Sequence, residues 1–334
     1  MIIVSGVVAD EVVELLCARL LRLGYDFVLL DQLRFPAKIP VTWWMEGDRP
    51  SGSLRIGTER VDLDRITGVY VRYSDYRGRD VLRRFRQRER EIIKAEATLA
   101  LGEMFDLMPC VVVNRIGACA SNESKPYQSR WCARYFRVPR SRITTEPDEV
   151  LAFYEACGRR VVYKSMSGTR SIVRRLKPQA FRRLRFLRNC PVLFQEYVPG
   201  SDVRVHVVGE EVFAARVRSE ATDYRYAPRS GASLVIEACS IPEDVAERCR
   251  RLTSDLGLAM SGIDLRETPE GAYYCFEVNP SPGFSYYERA TGQPISEALA
   301  NLLHAAPPQL ALSEARRSRS MIARPSPSSG TGSA

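Results

Sequence analysis

A chain of 334 residues with 45% hydrophobic content is long enough for two domains with ordinary cores, and it contains no apolar run of the roughly 18 residues a membrane span needs. The net charge of +9 comes from arginine dispersed among acids: lysine stands only at 38, 94, 125, 164 and 177, and the densest basic runs, 83–90 and 182–188, carry apolar residues at helical spacing, so they read as solvated helix faces rather than a nucleic-acid groove. Nine scattered cysteines without CxxC spacing and only two histidines, His206 and His304, argue against a zinc cluster, a disulfide framework and histidine catalysis.

Asp10 and Glu11 interrupt the N-terminal apolar stretch before any signal-peptide pattern is complete, so a cytoplasmic protein is expected. Residues 1–110 read as a small α/β unit: a strand at Ile2–Val4, a helix over Ala9–Leu23, a strand at Phe27–Leu30, further short strands to Tyr73 and a charged helix over about Asp80–Phe105. No GxGxxG follows the first strand, and this unit shows no catalytic motif. The Pro/Ser/Arg-rich stretch 307–334 reads as a disordered tail.

After the strand Cys110–Asn114, Lys125 stands at the start of a helix, with Pro126 in its first turn and an expected end near Arg137. A lysine in a chain that otherwise uses arginine suits a compact point charge beside a phosphate, or is a plain surface lysine. Lys164 ends the strand Val161–Lys164 and is followed by Ser167-Gly168-Thr169, a small loop able to lay backbone N–H groups over phosphates, then by a strand at Ile172–Leu176. Val192–Val198 is a strand that breaks at Pro199-Gly200, and Asp202–Val208 alternates strictly before turning into Val212–Val217. Val203, Val205 and Val207 share one face; Asp202, Arg204 and His206 share the other, with Arg216 and Arg218 placed beside them, as a polyanion site or a salt-bridge ladder.

Ser261–Phe284 reads as a hairpin turning at Pro269-Glu270. Alternation places Ile263, Leu265, Ala272, Tyr274, Phe276 and Val278 in the core, and Asp264, Arg266, Tyr273, Cys275, Glu277 and Asn279 on the polar face. With the turn centred between Pro269 and Glu270, Asp264 lies opposite Cys275 and diagonal to Glu277. Two carboxylates and the Asn279 amide oxygen then either converge on a hard cation or line a solvated face.

Lys125, Lys164 with its loop, Gln195-Glu196-Tyr197-Val198, Asp202, Arg204, Arg225, Asp264 and Glu277-x-Asn279-Pro280, in this order, resemble the ATP-grasp superfamily, in particular the branch of ribosomal-protein glutamate ligases and microviridin-type peptide macrocyclases. The resemblance covers about residues 110–305 and implies an α/β (α+β) architecture: an ATP-grasp fold at 111–306, two α+β subdomains of about 111–190 and 191–306 gripping ATP, preceded by a small pre-ATP-grasp α/β domain at 1–110. It implies that Lys125 and Lys164 touch the ATP phosphates under the Ser167–Ser171 loop, that Gln195 and Glu196 to Val198 form the adenine hinge, and that Asp202 lies near the ribose. Arg204, Arg218 and Arg225 would line the acyl-phosphate region, and Asp264, Glu277 and Asn279 would hold Mg²⁺, as two ions or replaced by Mn²⁺.

The implied activity is ATP-dependent joining of a carboxylate to an amine or hydroxyl through an acyl phosphate, with a peptide among the candidate substrates and room for a homo-oligomer. The phosphate loop is shorter than in the glutamate ligases, and Ala227 stands where they carry Asn. Those departures define the alternative, a nucleotide-binding scaffold that has lost catalysis.

Overall fold

The computed structural model describes residues 1–73, 82, 84–120, 124–166, 173–219 and 233–305. The chain opens with strand β1 (Ile2–Gly6), helix α1 (Glu11–Leu23) and strand β2 (Phe27–Asp31), then a small antiparallel sheet of β3 (Val41–Glu46), β4 (Arg49–Ile56) and β5 (Glu59–Asp62). Strand β6 (Gly68–Val71), helix α2 (Gln87–Leu107) and strand β7 (Val111–Val113) complete a parallel sheet of order β2-β1-β6-β7. Its central strands, β1 and β6, are buried at every position because both faces are covered there. Asp10 starts α1 by accepting from the Val12 and Val13 amides, two of the donors that a helix leaves unpaired.

Helices α3 (Ile116–Cys119) and α4 (Lys125–Cys132) lead into a second sheet, antiparallel, of order β10-β9-β11-β8. Its strands are β8 (Ser141–Thr144), β9 (Val161–Lys164), β10 (Arg174–Arg175) and β11 (Val192–Glu196), with helix α5 (Pro147–Ala156) after β8 and a 3₁₀ helix at Pro178–Asn189. Helix α4 stops at Cys132, five residues short of the expected end at Arg137, where the chain turns to run beside the large sheet. The basic run 182–188 is helical but of 3₁₀ type, with Leu184 and Leu187 buried against Val150 and Phe153 of α5.

The large sheet has order β14-β13-β12-β15-β16 and is antiparallel throughout, from β12 (Ser201–Val208), β13 (Glu211–Ser219), β14 (Leu234–Ala238), β15 (Met260–Glu267) and β16 (Tyr273–Asn279). One face carries Val203, Val205, Val207 and Leu265 against Val245, Cys249 and Leu252 of helix α6 (Glu243–Asp255). The other face packs Phe213, Ala215 and Val217 against helices α7 (Ser285–Thr291) and α8 (Ile295–Ala305) and against α1. Arg19 of α1 ties this seam together, bonding Glu288 at 3.0 Å and Glu297 at 2.7 Å. Gly68 allows β6 to meet the end of α8, since a Cβ there would sit 2.3 Å from the Leu303 carbonyl oxygen.

Among the described residues no helix is long and apolar enough to cross a membrane. The cysteines are unpaired and five are buried as expected of small hydrophobes, whereas Cys190 is exposed.

One buried polar side chain joins the sheets. Asn114, just after β7, donates from Nδ2 to the Met260 and Pro280 carbonyls and accepts at Oδ1 from the Ala259 and Met260 amides at 2.8 and 3.2 Å. It fixes the start of β15 relative to the segment leaving β16. Asn114→Ala leaves these buried groups unpaired, and a loss of about 3 kcal/mol in urea-unfolding free energy is expected; a loss below about 1 kcal/mol would show that water replaces the amide at little cost.

Candidate active site

The β15–β16 hairpin brings Asp264 directly opposite Glu277 and Gly262 opposite Asn279. This register differs from the sequence expectation in two places. Glu267 pairs with Tyr273, so the turn is centred on Glu270, half a position later than expected, and the partner of each residue near the turn moves by one. The Thr268 amide donates to the Ala272 carbonyl at 2.9 Å across that turn. A bulge then falls between Asp264 and Leu265, where Leu265 pairs with Cys275 and Phe276 is passed over.

The consequence is a change of face. Tyr273 and Cys275 are buried, whereas Tyr274 and Phe276 are half-exposed, the reverse of strict alternation. Passing over Phe276 restores the phase, and Glu277 and Asn279 come back beside Asp264.

Arg204 lies in register with Asp264 on β12 and donates to its carboxylate at 2.7 Å. Its guanidinium occupies the space above Gly262, where a Cβ would stand 2.0 Å from Nη2. On its other side Arg204 Nε donates to His206 Nε2 at 3.5 Å, and the Tyr287 ring centroid lies 5.8 Å from its central carbon. His206 is 1% exposed, and burial, then the charge of Arg204, hold its pKa well below 6.5. The ring is therefore neutral and able to accept.

The other candidate residues divide clearly. Lys164 and Gln195 are both buried on the second sheet; register places Lys164 beside Leu193 and Gln195 beside Val162, on the face turned away from the α5 core. Lys125 reaches the same place from α4, its Nζ donating to the Ser165 carbonyl at 2.7 Å. Glu196 accepts from Arg140 at 3.1 Å, the Tyr197 amide donates to Arg160, and Val198 is buried.

Arg216 and Arg218 are not beside Arg204. Arg216 pairs with Val203, which puts both arginines on the α6 face; Arg218 is 68% exposed and lies 3.5 Å from Glu237. The expected grouping missed this because it ignored how the Gly209-Glu210 turn sets the phase of the returning strand. Ser167, Gly168, Thr169, Arg225 and Ala227 lie outside the described residues, as does the tail from 307.

Two further residues join the site. Arg266, two positions after Asp264 on β15, donates to Asp202 at 2.6 Å and to the Val198 carbonyl at 2.9 Å, and stacks near the Phe276 and Tyr197 rings. It ties the segment after β11 to the strand that carries Asp264. Arg72, at the end of β6, donates to Asp10 at 2.7 Å and approaches the Ser281 carbonyl at 3.4 Å. The leading unit thus contacts the loop that follows Asn279, although its sequence carries no catalytic motif.

Among the described residues no three His, Cys, Asp or Glu side chains cluster as a metal site. The Asp264 and Glu277 carboxylates are opposed, and the Asn279 amide, whose Oδ1 accepts from the Ser281 amide at 2.9 Å, shares their face; all are oxygen donors of the kind that hard divalent cations take.

The buried His206 also gives the fold a pH dependence. The unfolded chain binds a proton to this ring below its ordinary pKa of 6.5 and the folded chain does not, so stability is constant above that range and falls as pH drops through it. Urea midpoints measured from pH 7.5 down to 5 are expected to decline more steeply for the natural chain than for His206→Gln, and parallel declines would contradict this assignment.

With this geometry, known proteins provide the comparison. The RimK-like ATP-grasp domain matches residues 128–303. Beta-citrylglutamate synthase B of Danio rerio is 31% identical over 134 residues, 39% of this chain and 31% of that protein. A probable alpha-L-glutamate ligase of Psychromonas ingrahamii is 27% identical over 209 residues, covering 59% of this chain and 68% of that protein.

Among solved structures, macrocyclase MdnC of Microcystis aeruginosa bound with precursor peptide MdnA superposes with a TM-score of 0.77 at 22% identity, covering 91% of this chain and 99% of that one. The ATP-grasp ligase PsnB, complexed with a minimal-precursor variant, Mg and ADP, superposes with a TM-score of 0.77 at 26% identity, covering 91% and 97%. The chain thus spans under a third of the first of these curated relatives but nearly the whole of the peptide-ligase structures. The matched region takes in more than half of the 334 residues, including every described strand of the large sheet and its opposed carboxylates, and the chain belongs to the RimK-like ATP-grasp family.

Proposed function

We propose that this chain is an ATP-dependent ligase that activates a carboxylate as an acyl phosphate and joins it to an amine or hydroxyl, with a peptide as substrate. The observation that carries the reading is the opposed pair Asp264 and Glu277, with Asn279 on the same face and Arg204 bonded to one of the carboxylates. Two carboxylates held beside a polyphosphate repel it unless cations stand between them. The oxygen donor set fits Mg²⁺, which ATP-grasp enzymes use with ATP; bound there, it would offset charge on the phosphates and on the phosphoryl group in transfer. On this reading the site takes two such ions and accepts Mn²⁺ in their place.

The chain's own residues then divide the work. Lys164 and Lys125 are compact cations placed for the phosphates, and Lys125 is tethered at Ser165 beside the loop that would cover them. Gln195 and the segment Glu196 to Val198 would receive the adenine, and Asp202, oriented by Arg266, the ribose. Arg204 is rigidly seated between Asp264 and His206, so its charge is preorganised for a carboxylate becoming an acyl phosphate. An oxygen of the substrate carboxylate attacks the γ-phosphorus and ADP leaves; the amine or hydroxyl attacks the acyl carbon, phosphate leaves, and the nucleophile gives up its proton. In-line positioning does most of this work, consistent with a site whose one histidine is buried and neutral.

A peptide substrate is favoured by the likeness to PsnB, a ligase complexed with a variant of its minimal precursor, which is 26% identical and covers 91% of this chain. The division into a leading domain at 1–110 and an ATP-grasp domain at 111–306, with subdomains meeting near 190, belongs to the same reading.

The test is ADP release by the purified full chain, with ATP, Mg²⁺ and a panel of acidic peptides and small carboxylates. Glu277→Gln and Lys164→Ala are each expected to slow turnover by about 100-fold or more. Turnover unaffected by both substitutions would overturn the site, and tight ATP binding with no turnover across the panel would select a binding scaffold.

A further inference from the structure

Strand β16 is an edge strand, with β15 on one side only. The ladder to β15 is interrupted at the bulge between Asp264 and Leu265, immediately before Glu277. Beyond the bulge, the short stretch Glu277-Val278-Asn279 pairs on its inner side with Asp264, Ile263 and Gly262, and it presents two of the three oxygen donors of the cation site. An exposed strand edge must also pair its outward backbone groups with something.

That partner is a side chain. Gln128 of α4 is 4% exposed, and its amide meets both polar groups of Val278: Nε2 donates to the Val278 carbonyl, and Oε1 accepts from the Val278 amide at 3.1 Å. It makes the two bonds that the next strand would make, at the one residue lying between Glu277 and Asn279. Further along the same edge the Cys275 amide donates to the Arg137 carbonyl at 2.9 Å, where Arg137 bridges Tyr274. Residues 125–137 thus cover the outer edge of β16, with Gln128 at its cation end. One turn earlier on the same helix face, Lys125 contacts Ser165 of the second sheet.

We propose that Gln128 is a positioning residue for the divalent-cation site: its amide replaces a neighbouring strand at Val278 and so sets the spacing and direction of Glu277 and Asn279. This rests on the cation reading of Asp264, Glu277 and Asn279 given above. Losing the amide would leave the strand folded but let Glu277 and Asn279 shift relative to Asp264, which weakens ion binding more than nucleotide binding. Removal of a group that orients metal ligands typically lowers metal affinity by about 10- to 100-fold.

The experiment measures Mn²⁺ binding to the full-length chain in saturating ADP, by the loss of the free-ion electron paramagnetic resonance signal. It compares the natural chain with Gln128→Met, Gln128→Glu and Glu277→Gln, with circular dichroism and thermal melting recorded for each. Gln128→Met keeps the length and removes both hydrogen-bonding groups; its Mn²⁺ dissociation constant is expected to rise about tenfold with an unchanged far-ultraviolet spectrum. Gln128→Glu, which can still accept from the Val278 amide, is expected to fall between it and the natural chain, and it serves as the informative variant if Gln128→Met does not fold. A lowered melting temperature with Mn²⁺ affinity within twofold of the natural chain would make Gln128 a purely structural clamp and overturn the proposal. If the natural chain binds no Mn²⁺ that Glu277→Gln abolishes, the cation reading itself fails. A natural chain that binds Mn²⁺ through Glu277 while both Gln128 variants match it overturns only the role of Gln128.

Discussion

Two carboxylates placed face to face across adjacent strands set the terms for everything around them. Side chains opposed in this way are about 5 Å apart at Cβ, so two carboxylates there repel one another unless an opposite charge stands close by. A fold does not keep such a pair for stability. Arg204 offsets one charge at 2.7 Å from Asp264, and a hard cation is the natural complement for the rest. The neighbouring polar machinery serves to keep that unfavourable arrangement rigid.

The rigidity comes from several directions and uses few residues. Gly262 leaves room for the Arg204 guanidinium, and a neutral His206 supports it from behind. Asn114 holds the start of β15 and the segment after β16 to one another, Gln128 grips β16 from its open edge, and Arg266 carries the geometry of β15 to Asp202 and the Val198 carbonyl. Buried polar side chains that pair fully with backbone are costly to disturb, so each acts as a fixed strut. The contact of Arg72 with the loop after Asn279 extends the same scaffold into the leading α/β unit.

Much of this was legible in the sequence because it rests on local chemistry. The turn residues Thr268-Pro269-Glu270-Gly271, the alternation of Asp202–Val208 and the isolated lysines at 125 and 164 all mark their elements without tertiary information. Strict alternation failed between Cys275 and Glu277, because a bulge is a property of two strands together and leaves no mark on either alone. Arg218 was placed beside Arg204 for a related reason: the face of a returning strand depends on where the Gly209-Glu210 turn closes. Arg266 and Gln128 were given no role because each acts on backbone 60 or more residues away. An arginine or glutamine in a polar pattern looks the same whether it faces water or a distant carbonyl.

If the opposed carboxylates bind a divalent cation carried by the nucleotide, that cation links ATP to Glu277. Calorimetric titration of ATP into the natural chain and into Glu277→Gln, each with and without Mg²⁺, tests it most directly. Mg²⁺ is expected to tighten ATP binding to the natural chain markedly, and Glu277→Gln to lose that gain while keeping its metal-free affinity. Equal tightening by Mg²⁺ in both proteins would contradict it.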